Sequence, residues 1–320
     1  MATYYGTYGQ KVQYLSSDPP APQTGQVWYN STSATLKVRS ATTSGTWAAG
    51  GNLNTARYSF AGAGTQTAGL AFGGYNPGTN SDASESYNGT SWTSTNPLVT
   101  AKYSMGGAGT QTAALLFGGL VGGSYQNATE SWNGTSWSNL PATLNTTRAG
   151  LTGAGIQTAA LAFGGAPNPA STTESWNGST WTNQPSTNVN KTDRGGAGTQ
   201  TAALAFGGYP GTAATESWNG SSWTTVNSLN TARQALGGAG LQTSALAFGG
   251  GTPTFTGATE LWNGTSWTSN PNSMATARGY LAGFGTQTAG LAAGGTPPIT
   301  TATEEFTGPG VAETRTVTVS

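Results

Sequence analysis

The sequence predicts an all-β fold of repeated four-stranded antiparallel sheets closed into a ring, and three observations predict it. One phrase recurs six times between Trp47 and Phe306; its first copy runs Arg57, Gly62-Ala63-Gly64-Thr65-Gln66-Thr67, Leu70-Ala71-Phe72-Gly73-Gly74, then Glu85-Ser86-Tyr87-Asn88-Gly89-Thr90-Ser91-Trp92. The marker glutamines Gln66, Gln111, Gln157, Gln200, Gln242 and Gln287 lie 42 to 46 residues apart, a period that belongs to propellers and solenoids. Inside each copy the apolar pattern has a period of two, which is that of strands.

The elements follow in order. The Gly-rich run before each glutamine, such as Gly106-Gly107-Ala108-Gly109, has almost no side chain to pack and suits the innermost strand, where neighbouring sheets converge. In the second strand, Ala68, Leu70 and Phe72 share one face while Thr67, Gly69 and Ala71 share the other. Large faces packed on small faces let sheets stack around an axis, and Leu116 departs from the pattern in the second copy. The Asn-Gly pairs at Asn88, Asn133, Asn177, Asn219 and Asn263 mark hairpins between the third and fourth strands, with positive φ expected at both central residues. Parity then puts Glu130, Trp132 and Trp137 on one face.

Counting predicts how the ring closes. The outer-strand tryptophans are Trp47, Trp92, Trp137, Trp181, Trp223 and Trp267, and each precedes a cation by 10 or 11 residues. The sixth three-strand unit ends at Phe306 without its own tryptophan, and Trp47 comes before any unit. The strand of Trp47 is therefore expected beside that of Phe306; the alternative is that Thr314 to Ser320 fill the sixth outer strand.

With these residues in view, the chain resembles the kelch repeat family. An Arg opens the first strand, a double Gly ends the second seven residues after each Gln, and Glu-x-aromatic on the third precedes a Trp on the fourth. Departures are a shortened third-to-fourth turn and Ala293 where the other copies carry Phe. The resemblance implies an all-β, six-bladed kelch-like β-propeller of four-stranded antiparallel blades, with a short N-terminal attachment segment; it implies architecture rather than activity. The expected divisions are 1–40 for the attachment segment, 41–310 for the propeller and 311–320 for an extra C-terminal strand.

Composition excludes several functions. Charged residues make up 7%, against about a quarter in ordinary domains, and the net charge is zero with no basic cluster. Nucleic acid is therefore not an expected partner, and no 18-residue apolar run supports membrane insertion. The absence of Cys and His removes disulfides, imidazole bases and the usual zinc, copper and haem ligands. No cofactor or metal is expected. Met1 to Tyr8 shows no charged-then-apolar leader, while a Thr/Ser/Asn-rich uncharged surface suits an extracellular particle. A virion component reconciles the two.

Glu85, Glu130, Glu174, Glu216, Glu260 and Glu304 form one ring, and Arg57, Lys102, Arg148, Lys191, Arg233 and Arg278 another. Six carboxylates around an axis could be a cation site, but carboxylates beside two aromatics need cationic partners, so structural pairing is expected. The Ser131-to-Trp137 hairpin also resembles a degenerate Asp box of sialidase propellers, which is itself a structural turn. No catalytic residues are assigned. Sequons such as Asn30, Asn88 and Asn127 follow from Asn-Gly-Thr turns in a Thr-rich chain.

What varies between copies is the better guide to binding. Connections after the double Gly differ in length and sequence and carry Tyr75, Asn76, Tyr125, Asn127, Tyr209 and Phe255, whereas the other turns are uniform. Variable loops on one side of a rigid scaffold are the usual plan of a binding surface. Outside the repeats, Asp18-Pro19-Pro20-Ala21-Pro22 precedes a hairpin-like pair, Val27-Trp28-Tyr29 and Leu36-Lys37-Val38. The run Gly25 to Ser31 resembles a segment near the start of bacteriophage fibre and appendage proteins. That resemblance implies a virion structural protein of a tailed phage, joined to other virion proteins through its N-terminal segment and presenting its variable face to a host surface glycan or protein. Competing expectations are a lectin-like propeller outside any virion, a capsid or tail decoration protein, and a glycan-active enzyme.

Overall fold

In the computed structural model, residues 12–23, 25–41, 44–167, 169–310 and 312–317 are described, and among them there is no helix. Met1 to Tyr8, where a leader was sought, lie outside the described residues. The chain forms two units, one of 1–45 with 307–320 and the other of 46–306.

In the larger unit each repeat builds a four-stranded sheet. The first is ordered Ala61–Thr65, Ala68–Phe72, Ser84–Tyr87, Trp92–Thr95, antiparallel throughout, with Leu70 opposite Ala63 and Ser86, and Tyr87 opposite Trp92. The next four sheets repeat this order. The sixth takes Ala282–Gly285, Ala289–Ala293 and Thr303–Thr307, and its outer strand is Thr46–Ala49. Trp47 thus lies beside Phe306, with ring centroids 5.1 Å apart, as the count of tryptophans and repeats requires. The arrangement is propeller-like.

Gly-rich strands from consecutive sheets lie side by side, and Ala282–Gly285 lies beside Ala61–Thr65. Glycine is required where they meet, because a Cβ on Gly153 would sit 2.2 Å from the Gly107 carbonyl oxygen. Six apolar clusters fill the spaces between sheets. In one, Leu161 and Phe163 press on Ala203, Ala205, Trp218 and Trp223 of the following sheet. Leu116 stands where other copies place Ala and packs against Leu70 and Phe72. At the interface of the sixth and first sheets, where Phe is missing at Ala293, the Phe284 ring occupies the space instead. There Gly69 stands where the second to fifth copies carry Ala, and a Cβ on it would come within 2.4 Å of Phe284.

Polar ties run between the same neighbours. Each outer-strand tryptophan donates its indole N–H to a hydroxyl on the preceding sheet, Trp181 to Thr129 at 3.0 Å, Trp92 to Thr303 at 3.0 Å and Trp47 to Thr259 at 2.9 Å. The marker glutamines also reach back: Gln157 Nε2 donates to the carbonyls of Ala114 and Trp132, at 3.2 and 2.5 Å. Gln200 and Gln242 likewise reach Trp176 and Trp218.

The Asn-Gly turns differ from expectation. Tyr87 pairs with Trp92, so 88–91 bridge the strands, and only Gly89, at φ +91°, is left-handed. The Asn88 side-chain oxygen accepts the amides of Thr90 and Ser91, at 3.0 and 2.9 Å. The asparagine therefore closes the turn as an acceptor, which removes the need for positive φ at its own backbone.

In the smaller unit, Gln13–Leu15 runs parallel to Val27–Asn30, which pairs antiparallel with Thr35–Ala41. The expected Val27-Trp28-Tyr29 hairpin is present, with Trp28 opposite Lys37. Ala312–Val317 completes this sheet against Thr35–Ala41. The divisions 1–40 and 311–320 are redrawn accordingly: the C-terminal strand has no place in the repeats because its partner is the N-terminal hairpin. Residues 318–320 lie outside the described residues.

Candidate binding face

The charge rings resolve into six buried pairs at 2.5 to 3.1 Å. Each carboxylate also takes a backbone N–H from the link before its cation, as Glu174 does from Asn145 at 2.7 Å and Glu260 from Asn230 at 2.7 Å. Burial pulls the guanidinium pKa of both Arg57 and Arg148 down to about 10, with Glu85 and Glu174 opposing. Every one of these carboxylates has a cation and a backbone donor, so the ring fixes the links to the sheets.

Lys191 is the correction. Glu216 pairs with Arg194 at 2.7 Å, while the Lys191 ammonium donates to the Pro210 carbonyl at 3.1 Å. Three residues after the cation, the other repeats carry Phe60, Met105, Leu151, Leu236 and Leu281. In the fourth repeat that inward position is Arg194, whose guanidinium reaches Glu216 and leaves Lys191 to the loop.

Two residues after each cation, Ser59, Ser104, Gly150, Asp193, Ala235 and Tyr280 all have φ between 51° and 66°. The backbone N–H of each donates to the carbonyl of the preceding one, from Ser104 to Ser59 at 2.7 Å and from Ser59 to Tyr280 at 2.8 Å. These six hydrogen bonds form a closed cycle at one end of the inner strands. The residue before each cycle member bridges to the loop after the double Gly, as Tyr58 does to Tyr75 and Thr192 to Tyr209. The variable loops therefore surround the cycle.

Aromatics cover part of this face. Tyr103, Tyr75, Tyr58, Tyr280 and Phe255 form a chain of edge-on contacts with centroids 5.1 to 6.2 Å apart. Of the residues singled out in the sequence, Tyr75 and Phe255 are half-buried in this chain, whereas Tyr125 is 41% and Tyr209 55% exposed. Asn76 is half-buried in the small ribbon Tyr75–Asn76 with Thr79–Asn80. The Asn127 amide is committed to Thr143 and to the Leu144 carbonyl, at 3.3 and 3.2 Å, so it is a tie for the following link rather than a free group.

Sequence reasoning missed Tyr58, Tyr103, Tyr280 and Asp193. All follow a repeat cation by one or two residues, a register signal that the sequence carries but that reads equally as the start of the inner strand. Asp193 and Tyr280 line a cleft of about 570 Å³ together with Ala166, Ala170, Asn190, Thr192, Tyr209 and Pro210. Desolvation raises the Asp193 carboxyl pKa, opposed by a hydrogen bond from the Thr192 hydroxyl. Burial, and after it the charge of Asp193, raises the Tyr280 phenol pKa. The cleft brings one carboxylate and two tyrosines, Tyr209 and Tyr280, into a common lining, a setting for recognition of a small polar ligand. The sequence matches no protein-family model and no curated protein.

Proposed function

We propose that residues 46–306 form a closed six-bladed kelch-like propeller, and that the chain is a non-catalytic binding component of a tailed-phage virion, attached to other virion proteins through its N-terminal unit. Its loop face is presented to a host surface glycan or protein. One observation carries the binding reading: loop variation and exposed aromatic rings occur together at one end of the sheets, while the opposite end carries near-identical Asn-Gly turns. Such a face suits stacking on sugars or docking on a polar surface. Closure is supported by the hydrogen-bond cycle and by the pairing of Trp47 with the last repeat. The particle assignment is supported by the likeness of Gly25 to Ser31 to phage appendage segments.

Mass spectrometry of purified particles tests the assignment, with the chain expected among the virion proteins. Replacing the exposed Tyr125 and Tyr209 by Ala is expected to reduce adsorption to the host while incorporation stays constant. Unchanged adsorption with normal incorporation would make the protein a decoration component. A lectin outside any virion is the second reading; the Asp193 cleft favours it, and absence of the chain from particles would select it.

A further inference from the structure

The fourth repeat breaks the pattern of the other five at one place, and all three departures lie together. Asp193 is the only charged member of the hydrogen-bond cycle, Arg194 replaces an apolar residue, and Lys191 is released from the glutamate ring. Had Lys191 kept the usual pairing, the position of Arg194 could have stayed apolar as elsewhere. The exchange leaves Glu216 neutralised from within and Asp193 without an ion-pair partner among the described residues.

A half-buried carboxylate with one hydroxyl donor is an unfavourable element beside six ring glutamates that are each neutralised by a cation; Glu305 is likewise half-buried and takes the Tyr87 hydroxyl. The surroundings of Asp193 explain what such a group could do. The cleft that Asp193 lines is lined also by Tyr209, Tyr280, Asn190, Thr192 and Pro210. Its size, about 570 Å³, is that of a small-molecule site. A carboxylate next to aromatic faces attracts an ammonium group through charge and through the ring quadrupoles. Of the two cations in the same link, Lys191 is held by the Pro210 carbonyl and Arg194 by Glu216.

We propose that this cleft binds a primary ammonium carried on a sugar-sized polar scaffold, with Asp193 as the counter-charge and Tyr209 and Tyr280 as the aromatic lining. The assignment deepens the loop-face reading and rests on it, since an amine-bearing sugar is one form a host surface glycan can take.

Titration calorimetry of the full chain with glucosamine and with N-acetylglucosamine, at a pH well below that of amine deprotonation, separates charge recognition from ring stacking. Glucosamine is expected to bind about tenfold or more tightly than its uncharged N-acetyl counterpart. Asp193→Asn is expected to weaken glucosamine by a similar factor while the melting temperature is unchanged or raised, because an unpaired charge is removed. Tyr209→Ala, at an exposed ring, is expected to weaken binding with no change in folding. Equal binding of the two sugars, unaltered glucosamine affinity in Asp193→Asn, or no binding of either sugar would each overturn the assignment. Loss of host adsorption in a Tyr125→Ala variant, whose ring does not line the cleft, together with such a result would leave the loop-face reading standing. Glucosamine binding with unaffected adsorption would do the reverse.

Discussion

At the scale of single residues, the energetics are dominated by groups that must be paired because they are buried. Removing one partner of a buried pair leaves an uncompensated charge, which costs about 3–5 kcal/mol. Arg194→Leu is therefore expected to destabilise the larger unit by about that amount, whereas Lys191→Ala, which loses one contact with a loop carbonyl, is expected to change it by less than about 1 kcal/mol. The double variant Lys191→Arg/Arg194→Leu rebuilds the pattern of Arg233 and Leu236 and is expected to recover most of the loss. Equilibrium denaturation of the three variants checks this; a double variant no better than Arg194→Leu alone would mean that the links do not have equivalent geometry. In the smaller unit, Asp18 accepts hydrogen bonds from the Trp28 indole at 3.0 Å and from the Asn30 amide at 2.7 Å, and pairs with Lys37 at 2.6 Å. The Lys37 hydrogen bond is the main cause holding its pKa at about 2 instead of 3.8. Because folding depresses this acid, its stabilisation is complete well above pH 3.8 and is lost as pH falls from there through about 2. The Trp28 indole N–H resonance should shift over that window, and Asp18→Asn should abolish the pH dependence.

At the scale of elements, each strand carries a distinct duty set by side-chain size. The inner strand is nearly bare so that backbones can approach, the second offers a large and a small face, and the outer two supply the aromatic pair, as where Trp176 and Trp181 meet at a tilt with centroids 5.4 Å apart. The interface between the sixth and first sheets meets the same volume by a different division, with Phe284 entering from the inner strand and Gly69 making room for it. Gly69→Ala is expected to cost about 1–3 kcal/mol through overpacking. Combining it with Phe284→Leu should give less than the sum of the single effects, since the two sites share one space. Additive effects in a double-mutant cycle would show that Phe284 does not set the limit at Gly69.

At the scale of the whole molecule, the 46–306 unit has its ends in one sheet: Thr46–Ala49 is the outer strand beside the last repeat strand. The Trp47 ring meets Phe248 and Phe306, each at 5.1 Å, and its N–H meets Thr259. A defect there should be felt by the entire unit rather than by one repeat, because the sheet joins both ends of the repeat array. Trp47→Ala is expected to lower stability by about 3 kcal/mol in a single transition, with hydrogen-exchange protection falling in the third sheet, Thr152–Ile156 to Trp181–Gln184, as well as in the sixth. Loss of protection confined to the sixth sheet would indicate an open array whose repeats melt separately.

The amino-acid sequence by itself determined the repeat, its strands and their order within each sheet. It also placed the Trp47 strand beside that of Phe306, because these follow from periodicity and counting along the chain. It likewise located the loop face, since variation stands out against six near-identical copies. Tertiary structure decided what depends on which atoms meet across sheets. Position in the repeat selects Lys191 as the partner of Glu216, yet Arg194 has the reach and the inward direction. The C-terminal strand joins Thr35–Ala41, a partner about 275 residues away that alternation alone cannot name. The register of Asp193, two residues after a repeat cation, is legible in the sequence, but its cleft is not: that forms only when the links of the fourth and sixth repeats and the loops of the third and fourth are brought together.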